Sequence, residues 1–291
     1  MNTRLECFPC LLNQALKAAR AATDDEYIHR QVIDTVAGMI PEMPADVKPP
    51  EIAQQAYRII HRIVGNSDPY SKEKAESNET ALAAYPRLKQ LVENSADNVY
   101  TACKLAISGN SIDLGPANFE HGGLDNIIET ALDCPLAVDN YKGLKSCLRD
   151  CRKILYLGDN AGEIVFDRLL IEKLGGNGDS NKEIYFVVRG EPVINDATME
   201  DALAVGMDRV ATVISSESDA PAIILSQCSQ QVRELYQSSD VVIAKGQGNY
   251  ESLEEERGNV FFLLRAKCPL IAELLGVQVG DFVLKENSAP I

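Results

Sequence analysis

KILYLGDNAGEIVFDRLLIEKLGG, residues 153–176, is the stretch that decides the fold. An apolar run from Lys153 to Leu157 stops at Gly158, and Asp159, Asn160, Gly162 and Glu163 follow before the apolar spacing becomes helical. A buried strand therefore empties into two carboxylates and a carboxamide and leads at once into a helix. The same rhythm repeats downstream. Short apolar runs occur at 184–190, 210–216, 241–246, 260–265 and 282–286, with helical patterns near 162–174, 197–205, 221–236, 251–256 and 269–275. That alternation predicts an α/β fold built on a doubly wound, mostly parallel sheet.

Upstream the pattern differs. Leu11, Leu12, Ala15 and Leu16, then Ile52, Ala53, Ala56, Ile59 and Ile60, keep helical spacing, and prolines at 41, 44, 49 and 50 separate the two runs. Further helices are expected over 71–92 and 95–108. The expected organisation is a helical bundle over 1–105, a connecting segment over 106–152 that packs on the cleft, and an α/β metal- and phosphate-binding domain over 153–291.

Composition narrows the function. The chain has 291 residues, 45% of them apolar, which is enough for a well-buried core. A net charge of −15 argues against a nucleic-acid partner, because phosphate backbones are held by clustered Lys and Arg. No apolar run is long enough for a membrane span, and the first twenty residues lack a secretory pattern, so a cytoplasmic location is expected. Eight cysteines in such a chain do not read as a disulfide framework. Cys7 and Cys10 have half of a zinc-site spacing, with Cys147 and Cys151 the nearest candidates for a second half; a secondary metal site, a redox pair and plain buried thiols stay open.

In open parallel sheets ligands bind beyond the carboxyl ends of the strands. Four runs end there in polar residues: Asp159-Asn160; Arg189-Gly190 leading to Asn195-Asp196; Ser215-Ser216; and Lys245-Gly246-Gln247-Gly248-Asn249. Asp159, Asn160 and Asp196 offer oxygen only, which suits a hard divalent ion. Lys245 is placed to meet an anion as a point charge, and Gly246 and Gly248 let backbone N–H groups approach it. Each feature has a plainer reading: Asp159-Asn160 and Asn195-Asp196 are also helix caps, and Lys245 alone is a solvated loop lysine. Glu163 either complements its helix dipole or orients a metal-bound water, and Asp167, one turn on, reads as structural. Arg189 reads equally as an ion-pair partner or an anion-steering group. No dinucleotide, P-loop or GxSxG signature is present.

These stretches resemble the damage-control phosphatase family, formerly domain of unknown function 89, over most of the chain. The motifs run in order: Cys7-x-x-Cys10; Asp68-Pro69-Tyr70 with Lys74 and Asn78; Gly109-Asn110-x-Ile112-Asp113; Gly158-Asp159-Asn160-x-Gly162-Glu163; Arg189-Gly190-x-Pro192 with Asn195-Asp196; and Lys245-Gly246-x-Gly248-Asn249. The resemblance implies a helical N-terminal domain, a Rossmann-like α/β domain, and metal-dependent hydrolysis of small phosphorylated metabolites such as sugar phosphates or side-product phosphate esters. It implies Asp159, Asn160 and Asp196 as ligands of a divalent ion (Mn, Mg, Ni or Co) and Lys245 as the phosphoryl-binding group; the expected catalytic residues are Asp159, Asn160, Glu163 and Lys245. Asn110, Asp113, Ser215, Ser216, Lys245, Gly246 and Asn249 would take the substrate and its phosphate. One loop departs from the pattern: relatives tend to carry glycines where Glu217 and Ala222 stand here. The rival readings are an S-adenosylmethionine-dependent carboxyl methyltransferase in the same cleft and a non-catalytic metal- or metabolite-binding protein.

Overall fold

The computed structural model describes residues 1–44, 46–109, 123–175 and 181–287. Asn110 and Asp113 lie outside the described residues.

Three helices open the chain: α1 (Cys7–Ala22), α2 (Glu26–Met39) and α3 (Pro49–Val64). Asp25 caps α2 by accepting the Tyr27 N–H, and Pro49-Pro50 fill the first turn of α3, where a missing N–H costs nothing. Leu11, Ala15, Val32, Val36, Ile52, Ala56 and Ile60 give these three a core of their own. The next two, α4 (Ser71–Glu93) and α5 (Asn98–Gly109), pack differently. Leu88, Val92, Leu105 and Ile107 bury against one face of the sheet, alongside α6 (Gly123–Asp133), α7 (Tyr141–Asp150) and α8 (Glu163–Leu174).

The sheet has seven strands: β1 (Leu136–Asp139), β2 (Lys153–Leu157), β3 (Glu183–Val188), β4 (Thr212–Ser215), β5 (Val241–Lys245), β6 (Val260–Arg265) and β7 (Phe282–Asn287). Their order is β1-β7-β6-β5-β2-β3-β4, parallel throughout except where β6 meets β7. All six expected strands form, and β1 is an addition. The central strands are continuous apolar runs because both of their faces are covered. Ile154, Tyr156, Phe186 and Ile243 face the α4–α8 side. Leu155, Leu157, Val187 and Val242 face the other, toward α10 (Gln230–Ser238) and α12 (Pro269–Leu275). Two further helices, α9 (Met199–Ala204) and α11 (Gly246–Leu253), complete the alternation.

From β2 the chain steps outward to β3 and β4, then returns to lay β5 on the other side of β2, with Leu157 opposite Ala244. The crevice beyond that reversal is where ligands bind in such sheets. Asp159 leaves one of its strands and Gly246 the other.

Candidate functional site

Two loops build the floor of the crevice. The one after β2 and the one carrying Asn195-Asp196 join through an isolated antiparallel bridge between Asn160 and Asp196. The Ala161 N–H donates to Asn195 O at 2.9 Å, and the Ala197 N–H to Asp159 O at 2.8 Å. The three expected oxygen-donor residues therefore sit on one zipped pair of loops. Asn160 Nδ2 donates to Asp159 Oδ2 and to Glu163 Oε2, each at 3.0 Å. Arg189, buried, donates from Nε to Asp196 Oδ2 at 2.6 Å and reaches Asp159 Oδ1 from Nη2 at 3.4 Å. Arg189 is thus an ion-pair partner that spans both acids.

Lys245 differs from the sequence expectation. It is fully buried, and Nζ donates to Glu163 Oε1 (2.5 Å), Asp167 Oδ1 (2.7 Å) and Ala106 O (2.8 Å). An ammonium carries three donors, so none remains for an anion in this arrangement. Glu163 and Asp167 present to it from one face of α8, four residues apart, as helix geometry dictates. Tyr156 donates to the same Asp167 oxygen at 2.7 Å.

Asn249, Ser215 and Ser216, also expected to take the phosphate, are engaged within the protein. Asn249 Nδ2 donates to Lys245 O (2.8 Å) and Gly158 O (3.2 Å), while its Oδ1 accepts the Ile223 N–H (2.8 Å). It fastens the ends of β5 and β2 to the following loop. Ser215 Oγ accepts the Glu217 N–H and Ser216 Oγ the Ser218 N–H, which shapes their own turn. What the crevice offers a phosphate is the start of α11 at Gly246, a helix N-terminus whose N–H groups favour negative charge.

The site is short of positive charge. Asp159, Glu163, Asp167 and Asp196 are buried carboxylates, opposed by two buried cations, Arg189 and Lys245. Burial, Glu163 and Asp196 push Asp159 up to about 8, against the pull of Arg189 and Lys267. Burial also raises Asp196, although Arg189 opposes it, and lifts Asp167 to about 6 in spite of Lys245. Burial pulls the Lys245 ammonium down, but Asp167 and Glu163 outweigh it and hold it above its ordinary value. Among the described residues, Asp167 Oδ2 and Arg189 Nη1 of this network find no hydrogen-bond partner. Among the described residues no three His, Cys, Asp or Glu side chains stand in metal-holding geometry. The expected donor set has only two carboxylates, completed by a carboxamide oxygen. Its all-oxygen chemistry and the surplus of buried negative charge fit a hard divalent cation.

Sequence reading missed part of the support. Asn78 Oδ1 accepts the Gly162 N–H at 2.7 Å, and its Nδ2 donates to Asp201 Oδ1 at 3.0 Å. Lys74 lies between Asp68 (2.8 Å) and Asp201 (3.3 Å). The Asp68–Lys74–Asn78 motif is therefore a tether from α4 to the turn before Glu163, and its Lys and Asn at i and i+4 were the available signal. The cysteines do not assemble as spacing suggested. Cys147 and Cys151 belong to the core on one sheet face, whereas Cys7 packs on the other with Cys268.

Comparison with known proteins gives the family. The damage-control phosphatase ARMT1-like domain family matches residues 3–283. A damage-control phosphatase of Pyrococcus horikoshii is 34% identical, with 99% of each chain aligned. One of Archaeoglobus fulgidus is 33% identical over 96% of this chain and 97% of its own. A crystal structure of a DUF89-family protein of P. horikoshii superimposes with a TM-score of 0.89 at 33% identity, covering 99% of this chain and all of that one. The chain belongs to the damage-control phosphatase family.

Proposed function

We propose that the protein is a divalent-metal-dependent phosphatase of damage-control type that hydrolyses small phosphorylated metabolites. The observation that carries this reading is the meeting of Asp159, Asn160 and Asp196 on two bridged loops, within a buried network that has four carboxylates and two cations.

In this reading Asp159, Asn160 and Asp196 hold the ion, with Mn²⁺, Mg²⁺, Ni²⁺ and Co²⁺ as candidates. A bound divalent cation supplies Lewis acidity toward a phosphoryl oxygen. The chain's own residues do the rest. Arg189 fixes the directions of the Asp159 and Asp196 carboxylates. Asn160 and Lys245 hold the two oxygens of Glu163, which leaves that carboxylate ordered at the first turn of α8 to orient a water. The N–H groups opening α11 receive a phosphoryl oxygen, and Lys245, at the end of β5, holds Glu163 and Asp167 in place. Such positioning and charge neutralisation is what phosphoryl transfer mostly requires. Eight free thiols fit a reducing compartment such as the cytoplasm.

The test is phosphate release from p-nitrophenyl phosphate with and without each divalent ion, and without any sulfonium compound. Turnover should require the ion and fall at least a hundredfold in Asp159→Asn and Asp196→Asn. Metal-independent turnover, or full turnover in both variants, would end the proposal.

A further inference from the structure

A cavity of about 160 Å³ opens between α3 and the loops that follow β3 and β4. Tyr57, Arg58 and His61 line it from the helix, and Glu191, Pro192 and Asp219 from the loops. Those loops are the ones that carry Arg189 and Asp196 on one side and Ser215-Ser216 on the other. Glu191 and Pro192 lie on the stretch of chain between Arg189 and Asp196, so the cavity wall and the proposed metal site share one loop, and Tyr57 packs in one cluster with Val193 and Ile194 of that loop. Among the described residues only Ile194 (φ 48°) and Glu217 (φ 59°) are non-glycines in the left-handed region, and each lies in one of these loops. Such backbone strain concentrates at ligand sites.

The walls are held by a clamp. Arg58 donates from Nε and Nη2 to Asp219 at 2.5 and 2.7 Å, and Gln54 Nε2 adds a bond to Asp219 at 2.5 Å. The Arg58 charge is thereby cancelled. His61 is pulled below its ordinary value by burial, against the charges of Asp68 and Asp219. Among the described residues Glu191, exposed, has no ion-pair partner, and it is the one charge on the lining without such a partner there. Two rings stand in the lining: Tyr57 and His61 meet edge to face, 6.1 Å apart. A cavity of this volume has room for several waters, the space of a short alcohol.

We propose that this cavity is the leaving-group subsite of the phosphatase, and that it selects small uncharged alcohols over leaving groups that bear a further negative charge. The inference rests on the phosphatase reading above. A second anionic group entering the cavity would meet Glu191 with Arg58 already paired, and like charges in such proximity discriminate strongly. An uncharged polyol meets only hydrogen-bonding groups and a ring face.

Glycerol 3-phosphate and 3-phosphoglycerate test this, because they match in size and differ by one carboxylate. Each is titrated as a competitor of metal-dependent p-nitrophenyl phosphate turnover. In the wild type glycerol 3-phosphate should compete at least tenfold more tightly. Glu191→Lys, on an exposed loop position, should bring the ratio of inhibition constants to one or invert it. His61→Trp, which fills the cavity, should weaken both competitors at least tenfold. Equal inhibition constants in the wild type, a ratio unmoved by Glu191→Lys, or no competition by either compound at 50-fold the KM of the reporter would overturn the subsite. Absence of turnover on p-nitrophenyl phosphate with every ion would instead remove the phosphatase reading itself.

Discussion

Gly246 and Asp159 face each other so closely that a methyl group on Gly246 would stand 1.8 Å from Asp159 Oδ2. Gly246 also has φ +80°, where a side chain costs about 1–2 kcal/mol. The close approach is what lets the first N–H groups of α11 and the Asp159 carboxylate share one crevice. Gly246→Ala should therefore displace Asp159, lower turnover at least a hundredfold and weaken Mn²⁺ binding in calorimetry, while far-UV circular dichroism stays that of the wild type. Unchanged Mn²⁺ affinity in that variant would mean the contact is immaterial.

Asn78 offers a second test, at a distance from the crevice. Its two polar atoms join the Gly162 N–H and Asp201 across the junction of α4 with the sheet. Asn78→Ala leaves both buried partners without their bonds, at about 1–3 kcal/mol each. A chain of this size loses about 2–4 °C of melting temperature per kcal/mol. Thermal denaturation should show a drop of several degrees, and Asn78→Asp, which adds a charge beside Asp201, a larger one. A midpoint within one degree of the wild type in both variants would show that the tether carries no load.

The strands of the C-terminal half were legible because each is a continuous apolar run ending at a polar residue, a pattern that two-sided burial imposes. β1 was not. Leu136-Ala137-Val138-Asp139 is four residues long and runs into Asp139-Asn140, a turn signal, so no continuous apolar run marks it. Helical periodicity marked α4 and α5 but not their partners; Leu88 and Ile107 read alike whether they face other helices or a sheet. At the site, oxygen donors were legible from chemistry and from the motif. The Lys245 environment was not, because it depends on α8 pointing Glu163 and Asp167 at one strand end, and nothing local to Lys245 records that.

Asp167 gives a pH signature. Its folded value is about 6, above the ordinary carboxyl value of 3.8, chiefly through burial. For an acid raised on folding, the native state holds the proton more tightly than the unfolded chain. Its contribution is thus favourable below about pH 4 and is lost as pH rises through 6. The melting temperature of the wild type minus that of Asp167→Asn should decline between pH 4 and 6 and level off above pH 7. Lys245 stays charged across that window, so the loss of its partner shifts the difference without tilting it. A difference that is flat, or that rises with pH, would contradict the burial assigned to this carboxyl.

Glu217 occupies a left-handed conformation at φ 59°, a region that favours glycine. Its N–H donates to Ser215 Oγ at 3.1 Å, and the next residue's N–H donates to Ser216 Oγ, so the turn is fixed by backbone donors and not by the Glu217 side chain. Glycine would relieve about 1–2 kcal/mol of strain. Greater freedom of glycine in the unfolded chain offsets about 0.4–1 kcal/mol of that. Glu217→Gly should therefore hold or raise the melting temperature, by up to about 6 °C. Glu217→Val, whose branched Cβ resists this region, should lower it by several degrees. Gly190 marks the opposite limit: a Cβ there would lie 2.5 Å from the Glu217 carbonyl carbon, so Gly190→Ala should be worse than either. A Glu217→Gly variant that melts lower than Glu217→Val would show that the turn is not left-handed in solution.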